Sequence, residues 1–366
     1  MSGTSDVPSD EDTPSLEAKR RFIRSTASQA DLTQSVDERE THMSWLFFLG
    51  DRVLKLKKPV RFPFLDFTTL SAREFYCREE VRLNSRLAPD VYLGVLALHE
   101  DRGRLSLLSK DQLPATGRTV DWLVSMRRLP PDRALPALMD LQSVEPRDID
   151  ALVGRLVDFY RRAPSIDIAP AEYLTRLRTQ QAENRELLMT PRLRLPDAAR
   201  LLDRFDAALT RWAPLLHERA RQGRIVEGHG DLRPEHVWLT QPPVVIDCLE
   251  FNERLRQVDP FDEVAFLAME CALADAHWIG QRLVAGCAAR LGMAPPPALM
   301  ALYTAHRALL RARLAMAHLL DSHPRTPHRW PLQAGRYLGR AREALDRLDD
   351  PAEAGELIQE GRPGRP

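Results

Sequence analysis

EGHGDLRPEHVWLTQPPVVIDCLEFN, residues 227–252, is the stretch that decides the fold. A loop carrying His229, a flexible Gly230 and Asp231 leads to His236, five residues after Asp231, and then to the apolar run VWL. Pro242 and Pro243 break the chain, and the β-branched run VVI ends in Asp247. The spacing predicts two short strands joined by a turn, a small hairpin with a carboxylate delivered at each end. Two carboxylates so placed suit magnesium-assisted phosphoryl transfer. One orients the acceptor hydroxyl, and the other holds the metal that bridges the phosphates. HGD alone is common by chance, and any hairpin can end in Asp. Only the combination of these features is specific.

The rest of the composition sets bounds. At 366 residues the chain can bury a sizeable core and form two lobes. It is 44% hydrophobic and 28% charged, ordinary for a globular protein. Lysine plus arginine and aspartate plus glutamate both number 52, which argues against a general nucleic-acid binder. Cys77, Cys248, Cys271 and Cys287 form no C-x-x-C pair, so neither a zinc site nor a disulfide framework is expected. The first residues contain no apolar leader segment, and no stretch approaches the roughly 20 apolar residues of a membrane span. A cytoplasmic protein without a membrane partner is expected.

Residues 1–17 are rich in Ser, Asp and Pro, a disordered composition, and the disordered tail is taken to run to residue 30. From Ser44, SWLFFLGDRVLKLKKPV reads as two strands around a Gly-Asp turn, with Lys55 inside the second. SAREFYCREEVRLNSRLAPD reads as a helix with Ser71 as N-cap. Strands are expected over residues 91–98, 104–108 and 119–127. From Pro130 onward the apolar spacing turns helical. Two long helical stretches fill residues 171–221, and VDPFDEVAFLAMECALADAHWIGQRLV reads as one buried helix. Two further helices precede a mobile tail over 351–366.

HGD, the five-residue step to a polar side chain, and the strand ending in Ile-Asp resemble the aminoglycoside phosphotransferase family of the protein-kinase-like superfamily. The resemblance covers residues 35–350. It is narrowest towards bacterial "aminoglycoside phosphotransferase family enzyme" proteins, some of which carry a fused P-loop ATPase domain; no G-x-x-x-x-G-K-[ST] occurs in this chain. The resemblance implies an α+β, bilobal protein-kinase-like fold, with a sheet-based N-lobe and hinge over 31–128 and a helical C-lobe over 129–350. It also implies an ATP-dependent kinase that phosphorylates a hydroxyl of a small molecule.

Residue by residue, the resemblance assigns Asp231 as catalytic base and His229 as its loop neighbour, packed beneath the loop. Lys55 would contact the nucleotide phosphates, with Lys57 on the same strand face as fallback. Glu80, which begins an E-x-x-x-x-x-x-L pattern ending at Leu87, would pair with the lysine; Glu79 is the alternative. Met126 and Arg127, in SMRRLP, would form the hinge that pairs with adenine. Asp247 would bind Mg2+, with Glu250 at a second metal or in a salt bridge, and Asp262 would brace the catalytic loop. Arg233 could meet a phosphate or an anionic substrate.

His236 departs from the family, which has Asn there. Imidazole suits softer metals than magnesium. Three readings follow: a kinase with one metal held by Asp247 and Glu250, a preference for Mn2+, or a nucleotide-binding pseudokinase with weak or no turnover. The acceptor stays open, because Arg254 and Arg256 do not favour a polycation.

Overall fold

The computed structural model describes residues 14–30, 37–62, 65–193, 195–320, 324 and 326–350. The expectations of disorder over 1–13 and of a mobile tail over 351–366 lie outside these residues. The chain divides into two compact units. One comprises the residues up to Pro131 together with Val245–Asn252, and the other comprises Asp132–Val244 with Glu253 onward.

The first unit runs α1 (Leu16–Ala30), β1 (Asp37–Glu40), β2 (Ser44–Leu49), β3 (Arg52–Lys57), the two-residue strands β4 (Arg61–Phe62) and β5 (Leu65–Asp66), α2 (Leu70–Asn84), β6 (Tyr92–Asp101), β7 (Arg104–Leu108) and β8 (Arg118–Arg127). Six of the strands form one antiparallel sheet in the order β1-β2-β3-β8-β6-β7. The Gly-Asp turn forms as the sequence predicts. Leu49 pairs with Arg52, and Gly50 takes φ 58°, a left-handed value that glycine adopts without strain.

The strand period of two sorts β3 cleanly. Leu54 and Leu56 join Phe47, Leu98 and Leu123 in an apolar cluster on one face. Lys55 and Lys57 point to the other face, where Glu80 of α2 meets both. Helix α2 begins at Leu70 and is capped by Thr69, whose hydroxyl accepts the Ala72 N–H at 3.1 Å. The expected cap at Ser71 is therefore corrected by two residues; Thr69 has the extended backbone a cap requires.

A larger correction concerns the tail taken as disordered to residue 30. Helix α1 occupies its second half, with Ile23 fully buried in the sheet cluster and Leu16 and Phe22 packed against it. Lys19 is buried too. Its ammonium donates to Asp121 Oδ2 at 2.7 Å and to Val120 O at 2.9 Å, while Arg73 holds Asp121 Oδ1 at 2.7 Å. The helix is ordered by tertiary contacts that its charged composition does not advertise.

The second unit contains α3 (Leu135–Asp140), α4 (Pro146–Arg162), α5 (Pro170–Leu188), α6 (Ala198–Arg211) and α7 (Ala213–Arg221). Short strands β9 (Val226–Glu227) and β10 (Val237–Trp238) follow; β11 (Val244–Val245) spans the boundary between units, and β12 (Gln257–Val258) lies beyond it. Helices α8 (Pro260–Leu273), α9 (His277–Leu291), α10 (Pro297–Ala317) and α11 (Arg329–Asp349) complete it.

Two predicted long helices are interrupted. The second stretch of residues 171–221 breaks at Trp212, because Pro214 lacks an N–H and can stand only in the first turn of a new helix, α7. The expected single buried helix splits into α8 and α9 at Asp275, whose φ is 58°. At the start of α8, Asp259 accepts from Phe261 N–H at 2.9 Å, from Arg219 Nε at 2.5 Å and from Tyr303 Oη at 3.0 Å. This buried network anchors the helix that supports the HGD loop. No helix among the described residues is long and apolar enough to cross a membrane.

Candidate active site

In the second unit, β9 pairs antiparallel with β12, Glu227 opposite Gln257. The chain leaves β9 through Gly228, whose N–H donates to Arg256 O at 2.7 Å. A Cβ at this position would lie 2.6 Å from Val258 Cγ2 and 2.7 Å from Glu263 Oε2, so glycine is required by close approach. Gly230 follows at φ 90°, and the two glycines turn the loop.

One buried side chain holds that loop by its backbone. Glu263 accepts the His229 N–H at 2.9 Å, the Gly230 N–H, and the Tyr160 hydroxyl at 2.9 Å. Burial pushes its carboxyl pKa up, and these three donors oppose the shift. The brace expected from the sequence is Asp262. That carboxylate instead grips Arg307, at 2.8 and 2.6 Å, and Arg307 Nη1 lies 3.5 Å from Gly230 O. The direct brace is thus one residue further on, and Asp262 acts through an arginine. A glutamate embedded in the apolar run of α8 was the available signal, since a buried charge needs partners.

Asp231 stands at the mouth of this loop with its side chain 23% exposed. Its Oδ1 accepts Arg233 Nε at 2.9 Å, and His236 Nδ1 lies 3.8 Å from Oδ2. Burial raises the Asp231 pKa, but Arg233 and His236 lower it more, so the carboxyl is held below its ordinary value. Arg233 also pairs with Glu235. His229 is buried; its Nδ1 accepts the Asp231 N–H at 3.2 Å, a loop-shaping bond and not a contact with solvent. His236 Nδ1 is 2.8 Å from Asp231 O and its Nε2 is 3.4 Å from Arg233 Nη2. Both ring nitrogens of the residue that replaces the family Asn therefore face the HGD loop itself.

The first unit holds the other group of residues. Lys55 Nζ lies 2.8 Å from Glu80 Oε1 and 3.3 Å from Asp247 Oδ1. The pairing partner is Glu80; Glu79 turns to Arg82. Lys57 is fully buried, 2.6 Å from Glu80 Oε2 and 2.5 Å from Glu250 Oε1. Burial pulls both lysine pKa values down, but the facing carboxylates raise them more, so both ammoniums stay charged; Lys55 and Lys57 in turn hold Glu80 below its ordinary value. Asp247 is half exposed, with φ 64°. Its N–H donates to Tyr92 Oη at 3.3 Å, and the Cys248 N–H donates to Asn84 Oδ1 at 2.9 Å. Tyr92 and Asn84 were not singled out from the sequence.

A divalent cation fits Asp247, a hard oxygen donor with solvent access two residues beyond β11. Glu250 fits less well, since its Oε1 faces a buried ammonium. Among the described residues no group of three or more His, Cys, Asp or Glu is arranged to hold a metal without other donors. At the expected hinge, Met126 is buried, the Arg127 N–H donates to Val91 O at 2.8 Å and the Arg128 N–H to Asp51 O at 2.7 Å. Those two amides are engaged within the first unit.

A six-stranded antiparallel sheet with a lysine–glutamate pair in one unit, and a mainly helical second unit that carries an HGD loop, make up a kinase-like fold. The structure is similar to a choline/ethanolamine kinase family protein from Mesorhizobium loti, with a TM-score of 0.53 at 14% identity over 93% of this chain and 98% of that one. It is also similar to the choline kinase LicA from Streptococcus pneumoniae, with a TM-score of 0.51 at 12% identity over 90% and 99%. At such identities the likeness concerns the fold. Residues 124–301 match the phosphotransferase enzyme family. Uncharacterized proteins of Mycobacterium bovis and Mycobacterium tuberculosis are 30% identical over 296 residues, 79% of this chain. The chain spans about half the length of these relatives, 56% of each.

Proposed function

We propose that the chain is an ATP-dependent phosphotransferase that moves the γ-phosphate to a hydroxyl of a small molecule. The observation that carries this reading is the Lys55–Glu80 pair with Asp247 at 3.3 Å from the same ammonium. In such a site a lysine neutralises phosphate oxygens, and the glutamate fixes the lysine. Asp231 is the group that orients the acceptor hydroxyl and takes its proton. Its lowered pKa keeps it ionised at neutral pH, and in a loose transition state positioning matters more than strong basicity. His229, Glu263 and Gly228 hold its loop in shape. Asp247 would hold Mg2+ or Mn2+, which when bound supplies positive charge to the transferring phosphoryl group.

The bonds of His236 to its own loop support an active enzyme over a nucleotide-binding module without turnover. An imidazole engaged by Asp231 O and Arg233 acts as a brace for Asp231, and no metal need tolerate it as a ligand. The test is ATP consumption with Mg2+ or Mn2+ across a panel of hydroxylated metabolites, beside an Asp231→Asn variant. Phosphorylated product that disappears in the variant supports the reading. Nucleotide binding with no Asp231-dependent turnover on any acceptor overturns it in favour of the pseudokinase.

A further inference from the structure

Glu80 carries two lysines, one on each carboxylate oxygen. A strand lysine paired with a helix glutamate is all that the phosphate contact needs. The second lysine therefore requires its own account. No part of the Lys57 side chain reaches solvent, and an ammonium so buried is costly unless it is paired on several sides. Here two carboxylates meet it, and the Phe67 ring centroid lies 4.9 Å from Nζ. Phosphate cannot reach this group, so Lys57 serves no contact with nucleotide.

What Lys57 touches shows what it can do. Glu250 lies in Val245–Asn252, a segment that joins the first unit far along the chain from the sheet. This segment is tied down by Lys55 and Tyr92 at Asp247, by Asn84 and Arg86 at Cys248 and by Lys57 at Glu250. Two of these ties pass to Glu80 through pairs of charges, one by way of Lys55 and the other by way of the fully buried Lys57. Lys57 also occupies Glu80 Oε2, which would otherwise compete with Asp247 for the Lys55 ammonium.

We propose that Lys57 is a positioning residue: by bridging Glu80 and Glu250 it fixes the Val245–Asn252 segment and sets where Asp247 presents its carboxylate to a nucleotide-bound divalent cation. Glu250 is then a tether and not a second metal ligand. The inference rests on the phosphotransferase reading of the same site.

The experiment titrates Mn2+ into the full chain with a fluorescent ADP analogue and reads the Mn2+ concentration at half-maximal nucleotide binding, alongside thermal melts. Wild type is compared with Lys57→Met, Glu250→Gln and the double variant. Groups that orient a metal ligand change metal affinity by roughly 10–100-fold when removed, and a rise of that order in the Mn2+ midpoint is expected for each single variant. The double variant should be no worse than either single one, because both remove the same tie. Should Lys57→Met fail to fold, Glu250→Gln cuts the tie from the other side and leaves Lys57 its Glu80 partner. A midpoint for Lys57→Met that is unchanged or lower overturns the proposal, since it would mean a purely structural lysine or a Glu250 released to bind metal. Additive effects in the double variant overturn it as well. Wild-type protein that binds no nucleotide at any Mn2+ concentration overturns the phosphotransferase reading along with it, whereas binding with unmoved midpoints overturns the proposal alone.

Discussion

Replacing Glu263 tests how the HGD loop is held. Its two oxygens receive the His229 N–H, the Gly230 N–H and the Tyr160 hydroxyl, all in a buried setting. Glu263→Ala leaves three buried donors without this acceptor, at about 1–3 kcal/mol each, partly relieved by rotation of the tyrosine hydroxyl. A total loss of about 3–6 kcal/mol is expected, a large share of the 5–15 kcal/mol that usually stabilises a folded domain. Glu263→Gln behaves differently. Its carbonyl oxygen can keep both backbone N–H groups while its amide faces a tyrosine oxygen free to turn and accept, so about 1–2 kcal/mol is expected. The assay is amide hydrogen exchange on a peptide spanning residues 226–237, read with urea unfolding followed by two probes because the chain has two units. The alanine variant should lose protection at residues 229 and 230 first, and the glutamine variant should keep most of it. Two variants indistinguishable from each other and within about 0.5 kcal/mol of the parent would refute the clamp.

Further outcomes follow from the same contacts. Arg233→Met removes the largest influence that lowers the Asp231 pKa, so the carboxyl rises towards or above its ordinary value and the acid limb of the kcat/KM profile moves to higher pH. By linkage, a carboxyl depressed in the folded chain adds stability above its unfolded pKa of about 3.9 and loses it as pH falls through the folded value; in Arg233→Met that contribution shrinks or changes sign, so the variant's stability falls less than the parent's across this acid window, which acid titration monitored by circular dichroism would detect. Gly228→Ala drives a methyl into Val258 and Glu263 and should cost about 1–3 kcal/mol in urea unfolding, with lowered turnover if the loop shifts. Lys19→Met breaks a buried pair but leaves Asp121 its Arg73 partner, so less than the 3–5 kcal/mol typical of such losses is expected, read as earlier melting of the first unit.

The lysine strand, the Gly-Asp turn and the Glu80 helix are local patterns, and they were legible because period-two and period-3.6 spacing is written along the chain. Helix α1 was not, since its order depends on Lys19 finding Asp121 about a hundred residues away. The breaks at Trp212 and Asp275 escaped for another reason: helical propensity continues through both, and one proline and one left-handed residue decide against it. At the candidate site DE in DPFDEVAF offers two adjacent acids, and only packing determines that Glu263, not Asp262, faces the loop backbone. Lys57 reads along the strand as a copy of Lys55, and only the folded chain separates them, by burial and by giving Glu250 to one and Asp247 to the other.

Asp247 sits with φ 64°, a backbone region that Asp and Asn enter far more readily than residues with an apolar Cβ. The position therefore filters its own variants. Asp247→Asn keeps the local hydrogen-bonding habit and removes only charge, so a change in metal requirement can be read as electrostatics. Asp247→Ala adds about 1–2 kcal/mol of backbone strain to the lost carboxylate, so it disturbs shape and chemistry together. Two substitutions that look equally deleterious on paper thus report on different properties of the segment, and the difference between them measures how much of its shape the aspartate itself maintains.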